Sequence, residues 1–147
     1  MNNIKIKLVL LSIISLTVFQ TSFGQSCRGF ESKCGSAPKY FTSSSLSRAI
    51  AMRKARKVIV KQTFYGDREY FVSVCGKSKL GKIHFRLITE DGNETVLYDN
   101  AIENFRESQL FVIQNTMNVK IELSAPHYFD DENSECAAIL ISYNKHE

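Results

Sequence analysis

Met117-Asn118-Val119-Lys120-Ile121-Glu122-Leu123-Ser124 alternates apolar and polar side chains without a break. That two-residue period is the signature of a β-strand with one face buried and the other wet, because successive side chains of a strand point to opposite faces. A helix of this order would scatter Met117, Val119, Ile121 and Leu123 around its circumference and could bury none of them together. Pro126 closes the run, since proline has no N–H to give to a ladder.

Strand-like segments extend outward in both directions. Beyond the polar loop at residues 127–135 lies a last strand, residues 136–143, apolar on both faces, and residues 109–114 (QLFVIQ) read the same way. Residues 82–89 turn Ile83, Phe85 and Leu87 inward and His84 and Arg86 outward, and Asp91-Gly92-Asn93 then turns the chain into a short strand at residues 95–98. A longer connection over residues 99–107 follows. Upstream, residues 57–65 (KVIVKQTFY) are rich in β-branched and aromatic side chains. Gly66-Asp67 is expected to fold them back as a hairpin onto residues 69–75, where Tyr70, Val72 and Val74 share a face. Seven such strands without intervening helices predict an all-β domain of two packed antiparallel sheets, a β-sandwich of jelly-roll type.

Before residue 57 the pattern changes. Residues 25–45 are rich in Ser and Gly and read as an irregular leader. Ser44 or Ser45 can cap a short helix through Leu46, Ala49, Ile50, Met52 and Ala55. That helix has no clean apolar face, because Leu46 and Ile50 share a side with Arg53 and Lys57. The expected organisation is therefore a signal peptide at 1–24, a leader with its helix at 25–56, and the sandwich at 57–147.

The signal peptide is read from Lys5 and Lys7, the apolar run from Leu8 to Phe19, and the small residues of Ser22-Phe23-Gly24. About a dozen apolar residues cannot span a hydrocarbon core of about 30 Å as a helix, so no membrane span is expected. Gly24-Gln25-Ser26 before Cys27 is a poor lipoprotein signal, which favours free secretion, or release into a periplasm, starting at Gln25.

Charge is distributed unevenly. Residues 25–88 hold 14 basic and 3 acidic side chains, and residues 89–147 hold 3 basic and 12 acidic ones. In a β-domain the simplest outcome is that the two halves interleave and neutralise each other. The alternative is a basic surface built from Arg48, Arg53, Lys54, Arg56, Lys57 and Lys61, meeting an anionic envelope polymer. Nucleic acid is not an expected partner, because the chain is read as exported and the cluster lacks interleaved aromatics for stacking.

Four cysteines in an exported chain imply two disulfides, with three connectivities open. Cys27 and Cys34 lie close together in the leader, while Cys75 and Cys136 sit at strand-like segments. The expected pairs are Cys27 with Cys34 and Cys75 with Cys136. The absence of a Cys-x-x-Cys pair and of any nearby histidine argues against zinc.

Four segments, Tyr70-Phe71-Val72-Ser73-Val74-Cys75-Gly76, Leu97-Tyr98-Asp99-Asn100, Ile121-Glu122-Leu123-Ser124-Ala125-Pro126 and Glu135-Cys136-Ala137-Ala138-Ile139-Leu140-Ile141, together resemble small secreted β-sandwich proteins of Bacteroidota. More distantly they are similar to the pre-peptidase C-terminal jelly-roll domains that follow bacterial secreted peptidases. The resemblance covers residues 57–143 and implies a fold and an exported setting. It carries over no catalytic residue.

No nucleophile context accompanies the three histidines. His84 points outward on a strand, His146 is penultimate, and His127 shares a loop with Asp130 and Asp131 but has no Gly-x-Ser-x-Gly elbow. Asp130, Asp131 and Glu132 form a weak calcium candidate whose spacing fits no EF-hand. Asn93-Glu94-Thr95 matches a glycosylation acceptor by chance in such a setting. The expectation is an exported, non-enzymatic β-sandwich without a cofactor that binds a protein or glycan at the cell envelope or outside the cell. The alternative is a small envelope enzyme, carbohydrate-active, with two facing carboxylates.

Overall fold

The computed structural model describes residues 27–145, so the segment read as a signal peptide lies outside the described residues. Nine strands run β1 (Thr42–Ser43), β2 (Arg48–Met52), β3 (Val58–Phe64), β4 (Arg68–Gly76), β5 (His84–Thr89), β6 (Val96–Asp99), β7 (Ser108–Ile113), β8 (Met117–Ser124) and β9 (Glu135–Lys145). They form two antiparallel sheets. One has the order β1-β9-β4-β7, with β2 also on β9, and the other has the order β3-β8-β5-β6. Consecutive strands mostly change sheet, β2 to β3 to β4 to β5 and again β6 to β7 to β8 to β9, and β8 and β9 are interior strands of their sheets.

The alternation read from the sequence decides the two layers. Val119, Ile121 and Leu123 of β8, Phe85 and Leu87 of β5, and Val72 and Val74 of β4 are buried between the sheets. Each side chain of this size, once fully removed from water, stabilises the fold by about 2 kcal/mol before entropy is counted.

The expected hairpin at Gly66-Asp67 is not one. β3 pairs with β8, and β4 with β7 and β9, so the turn carries the chain across the sandwich from one sheet to the other. The two strands meet face to face: the rings of Phe64 and Tyr70 stack with centroids 4.1 Å apart, and the Tyr70 hydroxyl accepts a hydrogen bond from the Tyr65 N–H at 2.9 Å. Gly66 suits that crossing because a Cβ there would lie 2.7 Å from the Gln114 carbonyl oxygen.

The expected helix over residues 46–55 is also absent, and nine strands replace the seven expected; the helical turns among the described residues are short 3-10 turns. Thr42–Ser43 and Arg48–Met52 lie along β9 instead. Ser44 and Ser47 explain the outcome. The Ser44 N–H donates to the Ile141 carbonyl at 2.9 Å, and the Ser47 hydroxyl accepts from the Ile141 N–H at 3.0 Å. The Ser47 hydroxyl thus substitutes for a rung of the ladder, and the Ser44 hydroxyl, one of the two expected to cap a helix, accepts from the Leu46 N–H at 3.2 Å instead.

The disulfides connect otherwise than expected: Cys27 with Cys136, and Cys34 with Cys75. Cys75 and Cys136 lie on neighbouring strands but out of register, Cys75 opposite Ala138 and Cys136 opposite Ala51. Each therefore reaches a leader cysteine rather than the other. The leader crosses the outer face of the five-stranded sheet, clipped to β9 and β4, with Phe41 edge-on to Phe71 at 6.4 Å.

Candidate ligand groove at the β2/β3 edge

The basic residues singled out in the sequence divide between two places. Arg53, Lys54, Arg56 and Lys57 occupy the connection that carries the chain from β2 to β3, whereas Arg48 and Lys61 stand further along those strands on the rim of a groove. Three are neutralised. Lys54 reaches Asp131 at 2.8 Å, Lys57 reaches Glu122 at 3.7 Å, and Lys61 pairs with Glu90. Arg48, Arg53 and Arg56 are exposed and have no ion pair within 4.0 Å among the described residues.

Of the nine ion pairs among the described residues, six join a Lys or Arg of the basic half to an acid of the acidic half, and His84 with Asp99 makes a seventh across the same divide. The two halves interleave. On the outer face of the four-stranded sheet this produces a row of alternating sign, with Lys57, Glu122, Arg86, Asp99 and His84 in sequence across β8, β5 and β6. The hydrogen bond from Arg86 at 2.5 Å holds the Glu122 carboxyl below its ordinary range against the opposing effect of burial. Burial pushes the Asp99 carboxyl up, but the Ala101 N–H, His84 and Arg86 together hold it below its ordinary range. His84 points outward as expected, yet it is half-buried and bound to Asp99 at 2.8 Å rather than simply solvated.

The groove itself is open, about 490 Å³, and Leu46, Arg48, Gln62, Thr63, Tyr65 and Asn118 are among the residues that line it. Cross-strand pairing of β3 with β8 sets Thr63 opposite Asn118. The Thr63 hydroxyl donates to Asn118 Oδ1 at 2.9 Å, which fixes the amide and leaves its Nδ2 donors without a protein partner among the described residues. Tyr65 is 52% exposed, and the Arg68 guanidinium lies 4.9 Å from its ring centre, holding one face of the ring. The wall thus combines a fixed amide, a second amide at Gln62, an aromatic ring and the unpaired guanidinium of Arg48. The lining carboxylate is Glu90, and Lys61 holds it.

Sequence reasoning missed Gln62, Thr63, Tyr65 and Asn118. Thr63, Tyr65 and Asn118 take outward positions of two segments that the same reasoning found, whereas Gln62 shares the parity of the buried Val60 and Phe64; their proximity depends on the pairing of β3 with β8 across 55 residues.

The acidic loop is used internally. Asp130 Oδ1 accepts from the N–H groups of Glu132 and Asn133, each at 3.0 Å, and these bonds with the Asn133 side chain hold its carboxyl below its ordinary range. Asp131 is bound to Lys54. Among the described residues no group of three or more His, Cys, Asp or Glu is placed to hold a metal ion, so Asp130, Asp131 and Glu132 are not gathered at one point. No helix among the described residues is long and apolar enough to cross a membrane.

No protein-family model matches the chain, and no curated protein matches it. Among solved structures the chain is similar to the crystal structure of Aeromonas hydrophila PliG, a periplasmic lysozyme inhibitor of g-type lysozyme. The TM-score is 0.45 at 9% identity, over 75% of this chain and 91% of that one. A likeness this distant transfers no residue and no role.

Proposed function

We propose that this protein is an exported, non-enzymatic β-sandwich, jelly-roll-like in its strand order, that binds a partner at the cell envelope or outside the cell, and that the β2/β3 groove is where it binds. The observation that carries the reading is the groove's donor set: Arg48 without an ion pair, the Asn118 amide fixed by Thr63, and the exposed ring of Tyr65. Of the two partner classes, protein and glycan, this set favours an anionic glycan. Amides and a guanidinium answer hydroxyl, carboxylate and sulfate oxygens, and an aromatic face offers a flat apolar wall with which to order a ring. Two disulfides that hold a leader to the sheet support an oxidising compartment. The signal peptide and membership of the small secreted β-sandwich proteins of Bacteroidota belong to the same proposal.

Binding of a sulfated oligosaccharide and of a neutral one of equal length, followed by calorimetry at several salt concentrations, tests it. Arg48→Gln should weaken binding of the sulfated probe at least tenfold and flatten its salt dependence, with the melting temperature nearly unchanged, whereas Arg53→Gln with Arg56→Gln, outside the groove, should change binding little. Equal binding of both probes by wild type and variant removes the proposal. Release of new reducing ends during the titration would instead support the carbohydrate-active reading.

A further inference from the structure

We propose that β7 is a docking edge for a second copy of this chain, two β7 strands pairing antiparallel about a two-fold axis and fusing the two five-stranded sheets into one. β7 ends its sheet, with β4 as its neighbour on one side. The Val74 N–H donates to the Glu107 carbonyl at 2.7 Å. In an antiparallel ladder the residues that bond to a given neighbour alternate, so positions 109, 111 and 113 bond to β4 and Ser108, Leu110 and Val112 turn their N–H and C=O groups outward. The Leu110 carbonyl behaves as an edge group: it accepts from the Nε2 of adjacent Gln109 at 3.2 Å.

Exposed edges in natural sheets are commonly guarded by lysine, proline, a bulge or an inward charge. Ser108–Ile113 (SQLFVI) has no lysine, no proline and no charge, and its pairing with β4 is unbroken. Its outer-face side chains, Leu110 and Val112, are 41% and 62% exposed.

The choice of a second copy over another occupant rests on register and charge. Paired residues must lie on the same face, and a two-fold register centred on Phe111 satisfies this while setting Leu110 of each copy opposite Val112 of the other. Both exposed side chains are then buried in cross-strand pairs. The nearest charges, Arg106 and Glu107, fall opposite Thr116 and Asn115, so no like charges meet. A slip that sets Glu107 against its own copy is repelled. An isologous contact brings each surface against itself, and the uncharged β7 meets its own copy without like-charge repulsion.

Sedimentation of the disulfide-intact protein from micromolar to millimolar concentration is the test. Wild type is expected to pass from one chain mass to two. Leu110→Lys should weaken dimerisation at least tenfold with an unchanged melting temperature, and Val112→Pro should fold and remain monomeric, because the N–H it removes faces outward. A single-chain mass at millimolar concentration overturns the proposal, as does a dimer insensitive to Leu110→Lys. Failure of Val112→Pro to fold overturns the assignment of outward groups on which it stands. Capture of an extended segment of another protein by a chain that stays monomeric would assign the edge to that partner instead.

Discussion

The two lateral edges of this sandwich are built on opposite principles. At the β2/β3 side the chain is held by covalent and polar cross-links: the Cys27–Cys136 bridge beside β2, the Ser47 hydroxyl in the β9 ladder, and Lys54, Lys57 and Lys61 bound to acids from the other half. At the β6/β7 side Val96, Leu97, Ile102, Leu110 and Val112 stand exposed. Charged and hydroxyl groups dominate the first edge, although Ile59 and Tyr65 are exposed there too, and they leave a polar groove. The second edge offers backbone and apolar surface, which suits a strand. One scaffold can therefore carry two kinds of contact without their competing for the same residues.

The contrast breaks most severely if the clips are removed. Cys34→Ala with Cys75→Ala frees a loop spanning 41 residues and is expected to lower stability by about 4 kcal/mol. Chemical denaturation checks this, and leader amides should lose hydrogen-exchange protection first. A loss confined to the leader, with the melting of the sheets unchanged, would show that the clips hold only the leader.

A smaller effect is expected from the charged row. Glu122→Gln should cost about 1–2 kcal/mol at neutral pH, since a charge-assisted bond to Arg86 is lost. The folded carboxyl lies below its ordinary value of 4.5. Its contribution is therefore full above that value and is lost as pH falls through the depressed folded pKa. The stability gap between wild type and variant should close in that acid window. A gap that persists at pH 2 would assign the effect to packing.

The readability of the fold follows the physics of each segment. β5, β6 and β8 were legible because alternation, turn residues and a terminating proline are local signals, β7 and β9 because short apolar runs between polar stretches are, and the β5–β6 turn at Asp91-Gly92-Asn93 joins paired strands as expected. The crossing at Gly66-Asp67 was not legible, because a turn between sheets and a turn within one use the same residues. β2 was misread because Ser44 and Ser47 act on Ile141, 94 residues from Ser47, and no local pattern reports that. The cysteine pairing failed for the same reason. Of the candidate site, Arg48 and Lys61 were found by charge density, whereas Tyr65 and Asn118 become neighbours only through the β3–β8 register.

The most direct test is an amide chemical-shift titration of the disulfide-intact protein, dilute enough to be monomeric, with a sulfated oligosaccharide. The account predicts saturable shifts at Arg48, Gln62, Thr63, Tyr65 and Asn118, with Leu97, Leu110 and Val112 unmoved. Shifts concentrated at β6 and β7, with the groove silent, would contradict it.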